Sequence, residues 1–356
     1  MIMAGGTGGH VMPALAVAKY LQEQGNHIHW LGTQAGFEAR FVPQNGFPIS
    51  YIDIQGLRRT TWSSWLLAPW RISKAVIQAL KILLRERPHV VLSMGGYAAG
   101  PGALAALMLR KPLVLHEQNA IAGWTNRLLS GFAKRIMVAF PNVFANKASK
   151  VVFTGNPVRQ DILSLLRSEA SQGIAGTEGI RILILGGSQG AKVLNEVVPQ
   201  AMAQFAPNAR PQIWHQTGKA LLEQTQAAYA KEHIQANVTD FINDMAKAYA
   251  WADIVICRSG ALTVAELASV GVCSILIPFP YAVDDHQTYN AKYLSTNEGA
   301  ILLSQRELSS DKLYALLQEL MNNPQKRQRI AKACKQLAKP LATQDVAKYC
   351  LEVSSE

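Results

Sequence analysis

A chain of 356 residues is larger than one hydrophobic core comfortably serves, so two domains are expected, and 49% hydrophobic against 17% charged residues is enough to fill both. No run reaches the roughly 18 to 20 apolar residues of a bilayer span, since the longest, Ala98 to Leu109, is broken by glycine and proline, and the first residues lack a signal peptide's charged and apolar regions. The formal net charge of +11 calls for an anionic partner: a nucleic acid, an anionic membrane face or a phosphorylated substrate.

From the amino end, the apolar residues Ile2, Met3 and Ala4 lead into a glycine loop, GGTGGH from Gly5 to His10, which opens a stretch of helical spacing. Only Met1 to Ala4 precede the loop where a strand of about five or six residues is usual, so an upstream start is expected. Further strands are expected at Ile28–Leu31, Val90–Ser93, Leu113–His116, Arg135–Val138 and Val151–Thr154. Others follow at Arg181–Leu185, Gln212–His215, Asp253–Cys257, Ser274–Pro278 and Ala300–Leu303. Their apolar residues run continuously rather than alternating, which implies burial on both faces and therefore parallel sheets covered by helices. The fold class is α/β, doubly wound. A second glycine loop, GGSQGA from Gly186 to Ala191, follows RILIL as the first follows IMA, so two Rossmann-like lobes facing a cleft are expected. The boundary is placed after GNPVR, Gly155 to Arg159, and before the polar stretch Ser168 to Gly179. This gives domains 1–157 and 158–339, with a last helix, 340–356, returning to the first. Cys257, Cys273, Cys334 and Cys350 form no CxxC pair and have no histidine cluster at metal-ligand spacing, so they read as reduced core thiols of a cytosolic protein.

Strand, glycine turn and helix together let bare amides and a helix amino end approach phosphate. The first loop fails as a dinucleotide site, because Gly6 and Gly8 are followed by Val11 and the next strand ends in Gly32 and Thr33 without the ribose-binding acid. The second fails as a triphosphate loop, since Lys192 is followed by Val193. More specific is RSGALTVAE, Arg258 to Glu266: Gly260 turns the chain into a helix whose first amides, at Ala261, Leu262 and Thr263, suit a diphosphate. Glu266 follows one turn later, placed for ribose hydroxyls; the competing reading is an ordinary helix start with a surface glutamate. Beyond the next buried strand, Asp284, Asp285, His286, Gln287 and Asn290 come at a carboxyl end, where amides such as Gln287 and Asn290 suit sugar hydroxyls. Three adjacent residues rarely converge on one ion, so a metal site at Asp284–His286 is disfavoured. In the first half, MGGYAAGP, Met94 to Pro101, and HEQNAIAG, His116 to Gly123, open on the same edge as His10. His10 reads either as a structural histidine at a helix end or as a general base; Glu117 is the competing base, and the sequence leaves both open.

The ordered set GGTGGHVMPALAVA, MGGYAAGPGALAA, LHEQNAIAG, TGNPVR, ILGGSQGA and RSGALTVAELA resembles the MurG family of UDP-N-acetylglucosamine transferases, part of the GT-B glycosyltransferase superfamily, over essentially the whole chain. The resemblance implies inverting transfer of N-acetylglucosamine from UDP-N-acetylglucosamine to the muramyl C4 hydroxyl of lipid I, giving lipid II for the cell wall and so for cell shape and division. It implies donor contacts at Thr7, Gly8, Gly9 and Asn119, and at Arg159, Ser188, Ile242, Ala261, Leu262, Thr263, Val264, Ala265, Glu266 and Gln287. It also implies a catalytic base at His10 or Glu117, no cofactor and no protein-bound metal, since amides and a helix dipole can stabilise departing UDP. The family often has two adjacent glutamines where this chain has His286 and Gln287. The rivals are another GT-B lipid glycosyltransferase, sharing the donor lobe alone, and a nucleotide-sugar-binding protein without turnover.

Over half of the net charge lies between Arg58 and Arg87, where Arg58, Arg59, Arg71, Lys74, Lys81, Arg85 and Arg87 face the single acid Glu86. From Pro69 a helix is expected with Arg71, Lys74, Gln78, Lys81 and Arg85 outward and Ile72, Val76, Leu80 and Leu83 inward. Preceding it, Trp62, Trp65, Leu66, Leu67 and Trp70 suit the headgroup boundary of an anionic bilayer. Trp62 to Arg87 is therefore expected to attach the protein to the cytoplasmic face of the bacterial inner membrane, where the lipid acceptor lies and where wall-synthesis proteins are possible partners. Nucleic acid is not expected, because no binding module accompanies the patch.

Overall fold

The computed structural model describes residues 1–54, 68–167, 179–187 and 190–355. In chain order the elements are β1 (Ile2–Met3), α1 (Gly8–Glu23), β2 (Trp30–Gly32), α2 (Glu38–Gln44), β3 (Ile49–Tyr51), α3 (Ala68–Glu86), β4 (Val91–Ser93), α4 (Ala99–Met108), β5 (Leu113–Glu117), α5 (Trp124–Leu129), β6 (Arg135–Val138), β7 (Val151–Phe153) and α6 (Gln160–Arg167). They continue as β8 (Arg181–Leu185), α7 (Lys192–Ala203), β9 (Gln212–Gln216), α8 (Leu222–Lys231), β10 (Asn237–Thr239), α9 (Met245–Trp251), β11 (Ile254–Cys257), α10 (Ala261–Val270), β12 (Cys273–Leu276), α11 (His286–Ser295), β13 (Ile301–Leu302), α12 (Ser310–Asn322), α13 (Pro324–Gln336) and α14 (Ala342–Ser355). Contacts divide the chain into unit 1, Met1–Arg159 with Lys339–Glu356, and unit 2, Gln160–Ala338.

Unit 1 is built on a seven-stranded parallel sheet in the order β3-β2-β1-β4-β5-β6-β7. The central strands are buried because helices cover both faces: α3 packs on α4, while α1 packs on α14, which also reaches β5 and β6. The core against α1 and α14 gathers Val11, Leu15, Trp30, Val114, Met137, Val346 and Val353. Trp30 is fully buried and its indole N–H donates to Ala4 O at 2.8 Å, so even its one polar atom is satisfied.

Unit 2 repeats the plan with six parallel strands, β10-β9-β8-β11-β12-β13, in which β8 pairs with both β9 and β11. Its core joins Ile182, Ile184, Ile254 and Ile256 of the central strands to Leu194 and Val198 of α7 and Leu313, Leu317 and Leu320 of α12. All four cysteines are unpaired and buried, and burial pushes the thiols of Cys257 and Cys273 up to about 12.

Two strands escape the sequence pattern. β3 and β10 are the edge strands that flank β2 and β9. They have no fully buried residue and their sequences, ISY and NVT, carry no continuous apolar run, unlike VVF and IL of the other edges, β7 and β13. The inward face of α3 also differs from the projection: Ala75, Val76, Ala79, Ile82 and Leu83 are buried, while Ile72 and Leu80 are only partly covered. The small Ala75 and Ala79 let the helix approach α4 closely, which draws the contact line towards them. Among the described residues, no helix is long and apolar enough to cross a membrane.

Candidate active site

A parallel α/β sheet offers its ligand crevice beyond the carboxyl ends of the strands, where the strand order reverses. In unit 1 that point lies between β1 and β4. The loop after β1 runs into α1, whose first turn carries His10, and the loop after β4 carries Gly95 and Gly96. The two loops meet backbone to backbone, with Gly5 N–H donating to Gly95 O at 3.2 Å. Gly96, at φ +92, has the Gly5 backbone where a Cβ would stand, so only glycine fits.

His10 is held over this junction. Its Nδ1 lies 3.0 Å from Met94 O and 3.1 Å from Gln118 Oε1. A carbonyl and an amide oxygen only accept, so Nδ1 carries a proton, and the tautomer that fits leaves the lone pair on Nε2. Among the described residues no hydrogen bond reaches Nε2.

Glu117 is placed differently. It is 2% exposed, and its Oε1 accepts from the backbone N–H of Asn119 at 3.0 Å and from Asn119 Nδ2 at 3.4 Å. Its Oε2 accepts from Gly123 N–H and Asn126 Nδ2, both at 2.9 Å. The carboxylate thus ties together the turn that follows β5. Neighbouring His116 is fully buried, donates from Nε2 to Gly155 O at 3.0 Å, and is pushed down to a pKa of about 4 by burial.

In unit 2 the reversal falls between β8 and β11. The glycine loop after β8 is described at Gly186, Gly187 and Gly190; Ser188 lies outside the described residues. Gln216, at the end of β9, accepts from Gly187 N–H and donates to Gly187 O, each at 3.0 Å, and donates to Asp240 O at 2.9 Å. Beneath the loop Tyr229 O–H donates to His215 Nδ1 at 2.9 Å, because His215 Nε2–H is committed to Asn195 Oδ1 at 3.0 Å. Asn195 Nδ2 in turn donates to Thr217 O at 3.2 Å, the carbonyl against which Gly190 packs too closely for a side chain.

The loop after β11 leads into α10. Its N-cap Gly260 is non-helical at φ −59 and ψ 145, no side chain caps it, and the first intrahelical bond runs from Val264 N to Gly260 O at 3.0 Å. The opening amides and the positive end of the dipole are therefore presented at the same sheet edge as the glycine loop. Glu266 is only 7% exposed and accepts from Tyr249 O–H at 2.9 Å, so the surface-glutamate reading falls. Arg258 lies over the Phe279 ring at 5.4 Å and donates to Ile277 O and Pro278 O at 3.1 and 3.2 Å. Burial lowers its pKa only to about 10, which leaves it charged at neutral pH.

This geometry belongs to a known lineage. The family model for the glycosyltransferase family 28 N-terminal domain matches residues 1–138, and that for the C-terminal domain matches residues 181–346. A UDP-N-acetylglucosamine–N-acetylmuramyl-(pentapeptide) pyrophosphoryl-undecaprenol N-acetylglucosamine transferase of Shewanella denitrificans is 49% identical over 99% of this chain and 96% of its own length. The same identity relates the chain to the enzyme of that name from Nitrosococcus oceani, over 100% of this chain and 98% of that one. The crystal structure of Acinetobacter baumannii MurG superposes with a TM-score of 0.81 at 43% identity, covering 99% of this chain and 98% of that one. The chain belongs to the MurG family of family 28 glycosyltransferases.

Within this MurG-family frame the residues named from sequence fall into two groups. Unit 1 carries Thr7, the N-cap of α1, with Gly8, Gly9 and His10 in the first turn, and Glu117 and Asn119 beyond β5. Arg159 is the last residue of its main segment. Unit 2 carries Ile242, buried in the turn after β10, the run Ala261 to Glu266 opening α10, and Gln287 in the first turn of α11. Gln287 Oε1 accepts from Phe279 N–H at 3.0 Å. Asn290, one turn after Gln287, is fully buried and donates to Ser259 O at 3.2 Å. His286 bonds locally, Nδ1–H to Val283 O at 2.7 Å, after Asp284 and Asp285, both left-handed at φ 52.

Sequence reasoning passed over Gln118, Gln216, Tyr249 and Glu38. The first two were accessible in principle, since each sits at the carboxyl end of a strand or directly after it. Glu38 and Tyr249 carried no such signal, because each reaches the site from the start or middle of a helix. Glu38 is fully buried, with Oε2 accepting from Gly6 N–H at 2.9 Å and Oε1 accepting from Thr33 N–H and Oγ1–H, both at 2.8 Å.

Proposed function

We propose that the chain is an inverting hexosyltransferase that moves N-acetylglucosamine from UDP-N-acetylglucosamine to the C4 hydroxyl of the muramyl sugar of lipid I, releasing UDP and forming lipid II. The observation that carries this reading is the crevice of unit 2, a glycine loop at the same sheet edge as the amino end of α10, with Glu266 buried less than two turns from Gly260, in a chain 49% identical over its length to transferases of that name. Unit 2 holds the donor: Ile242 reads uracil through its backbone, Glu266 accepts from the ribose hydroxyls, Ser188 and the opening amides of α10 up to Thr263 take the diphosphate, and Gln287 reads the sugar. Arg159 adds charge to the diphosphate. Unit 1 serves the acceptor and the reacting end of the donor through Thr7, Gly8, Gly9 and Asn119.

His10 is the base. Nε2 takes the C4 hydroxyl proton while the oxygen attacks the anomeric carbon; the bond to UDP breaks with its electron pair on the diphosphate, where amides and dipole stabilise the charge. Glu117, with four donors directed at its carboxylate, holds the turn that carries Asn119 and leaves the proton to His10. The protein meets its lipid acceptor by lying on the anionic cytoplasmic face of the inner membrane, through the basic and apolar surface around α3. Label transfer from UDP-N-acetylglucosamine into a lipid I analogue tests the activity, and absence of transfer by folded protein overturns it. His10→Gln is expected to lower kcat by about 100-fold or more, the share a positioned base commonly supplies. A His10→Gln enzyme within twofold of the parent removes His10 from the role.

A further inference from the structure

We propose that Gln118 is the positioning residue that fixes the tautomer and ring plane of His10; the inference rests on the reading of His10 as base. Gln118 is 2% exposed, and both ends of its amide are assigned by their partners. Its Nε2 donates to Met94 O at 2.8 Å, so Oε1 is the atom turned to the imidazole, where it accepts from His10 Nδ1–H at 3.1 Å. A flipped amide would set two oxygens against each other at Met94 and two donors against each other at His10. The Met94 carbonyl takes the second branch of the same Nδ1–H at 3.0 Å, and the three groups close a ring of hydrogen bonds.

The ring is anchored on every side. Asn156 Nδ2 donates to the Gln118 carbonyl at 3.0 Å, and Gly95, at φ +92, leaves its Cα face to the imidazole, with His10 Nδ1 2.8 Å from where a Cβ would stand. The choice of an amide has a chemical consequence. A carboxylate in this place would also accept from Nδ1–H, but it would favour the imidazolium and so hold the proton that a base must lack at the start of the reaction. Glutamine orients the ring without that charge. The titratable groups around the pair are His116, which is neutral, and Glu117, whose carboxylate is directed at the turn after β5.

Two variants and one spectrum test this. In the intact protein, 15N spectra of the histidine rings are expected to show His10 protonated at Nδ1 and bare at Nε2 at neutral pH. Gln118→Glu is expected to move the acidic limb of the kcat profile upward by on the order of one pH unit. Gln118→Ala is expected to lower kcat about tenfold with KM for UDP-N-acetylglucosamine within twofold, because the donor is held elsewhere. A His10 ring protonated at Nε2 in the parent, or an unmoved acidic limb in Gln118→Glu, overturns the inference. The reading of His10 as base fails separately: His10→Gln then keeps its turnover whatever the spectra show.

Discussion

Glu38 shows how much of a glycine loop's shape is imposed from outside it. The strand β2 ends without the acid that a dinucleotide site needs, yet an acid arrives from α2 and turns inward, so the N–H of Gly6 is occupied by the protein's own carboxylate. Gly5, Gly32 and Gly36 each have Glu38 side-chain atoms within 3 Å of an added Cβ, so all three must stay glycine for the carboxylate to enter. Replacing Glu38 by alanine strands three donors, the half-buried Gly6 N–H and the buried Thr33 N–H and hydroxyl. The expected cost is about 2–5 kcal/mol, the range for buried polar groups that lose their partner. Glu38→Gln keeps one oxygen and is expected to cost less than half as much. Denaturant unfolding of the two variants measures both, and an alanine variant as stable as its parent would show that water satisfies the loop instead.

At the scale of elements, the central strands were legible because burial on both faces writes a continuous apolar run, whereas edge strands β3 and β10 write none. The uncapped start of α10 was legible for a similar reason, a glycine after a buried strand. The partners that aim the site residues were not, because Tyr249 meets Glu266 and Gln118 meets His10 only once the sheet is formed. The helix α3 carries a second lesson. Lys74 and Gln78 of its basic stripe are tied to Asp53, at 2.9 and 3.0 Å, and Arg85 pairs with Glu86, so part of the expected charge is answered locally. Trp70, expected at the headgroup boundary, heads an exposed row that the stripe reading omitted, Ile77 and Leu84; the three are exposed by 72%, 53% and 58%, with Leu104 and Met108 exposed on α4 and Trp124 and Leu128 on α5. Trp62, Trp65, Leu66 and Leu67 lie outside the described residues. Apolar side chains beside cations suit a lipid headgroup layer. Changing Trp70, Ile77 and Leu84 together to serine is therefore expected to reduce flotation with anionic vesicles several-fold while leaving unfolding within about 0.5 kcal/mol per site, as for other surface positions. Undiminished flotation would move the membrane contact away from this helix.

For the molecule as a whole, each unit has a buried neutral histidine beneath its site, and the pair sets a common response to acid. Burial holds His116 down at about 4 in unit 1 and His215 at about 3 in unit 2, against an ordinary value of 6.5. Below 6.5 the unfolded chain binds both protons and the native units refuse them. Unfolding then takes up protons, and stability that is complete above 6.5 is lost as pH falls towards those native values. The slope is about 1.4 kcal/mol per pH unit for each histidine. Between pH 6.5 and 5 few carboxylates titrate; in unit 1 burial also holds His29 below its ordinary value and the Met1 amino group down at about 6, and both add to the response. Hydrogen exchange resolved by segment, at pH 7 and pH 5, is expected to show both units opening more readily in acid. His116→Asn should make the response of unit 1 shallower and leave that of unit 2 intact, since His215 bonds to Tyr229 and Asn195. An acid response in unit 1 as steep as the parent's would assign it to other groups.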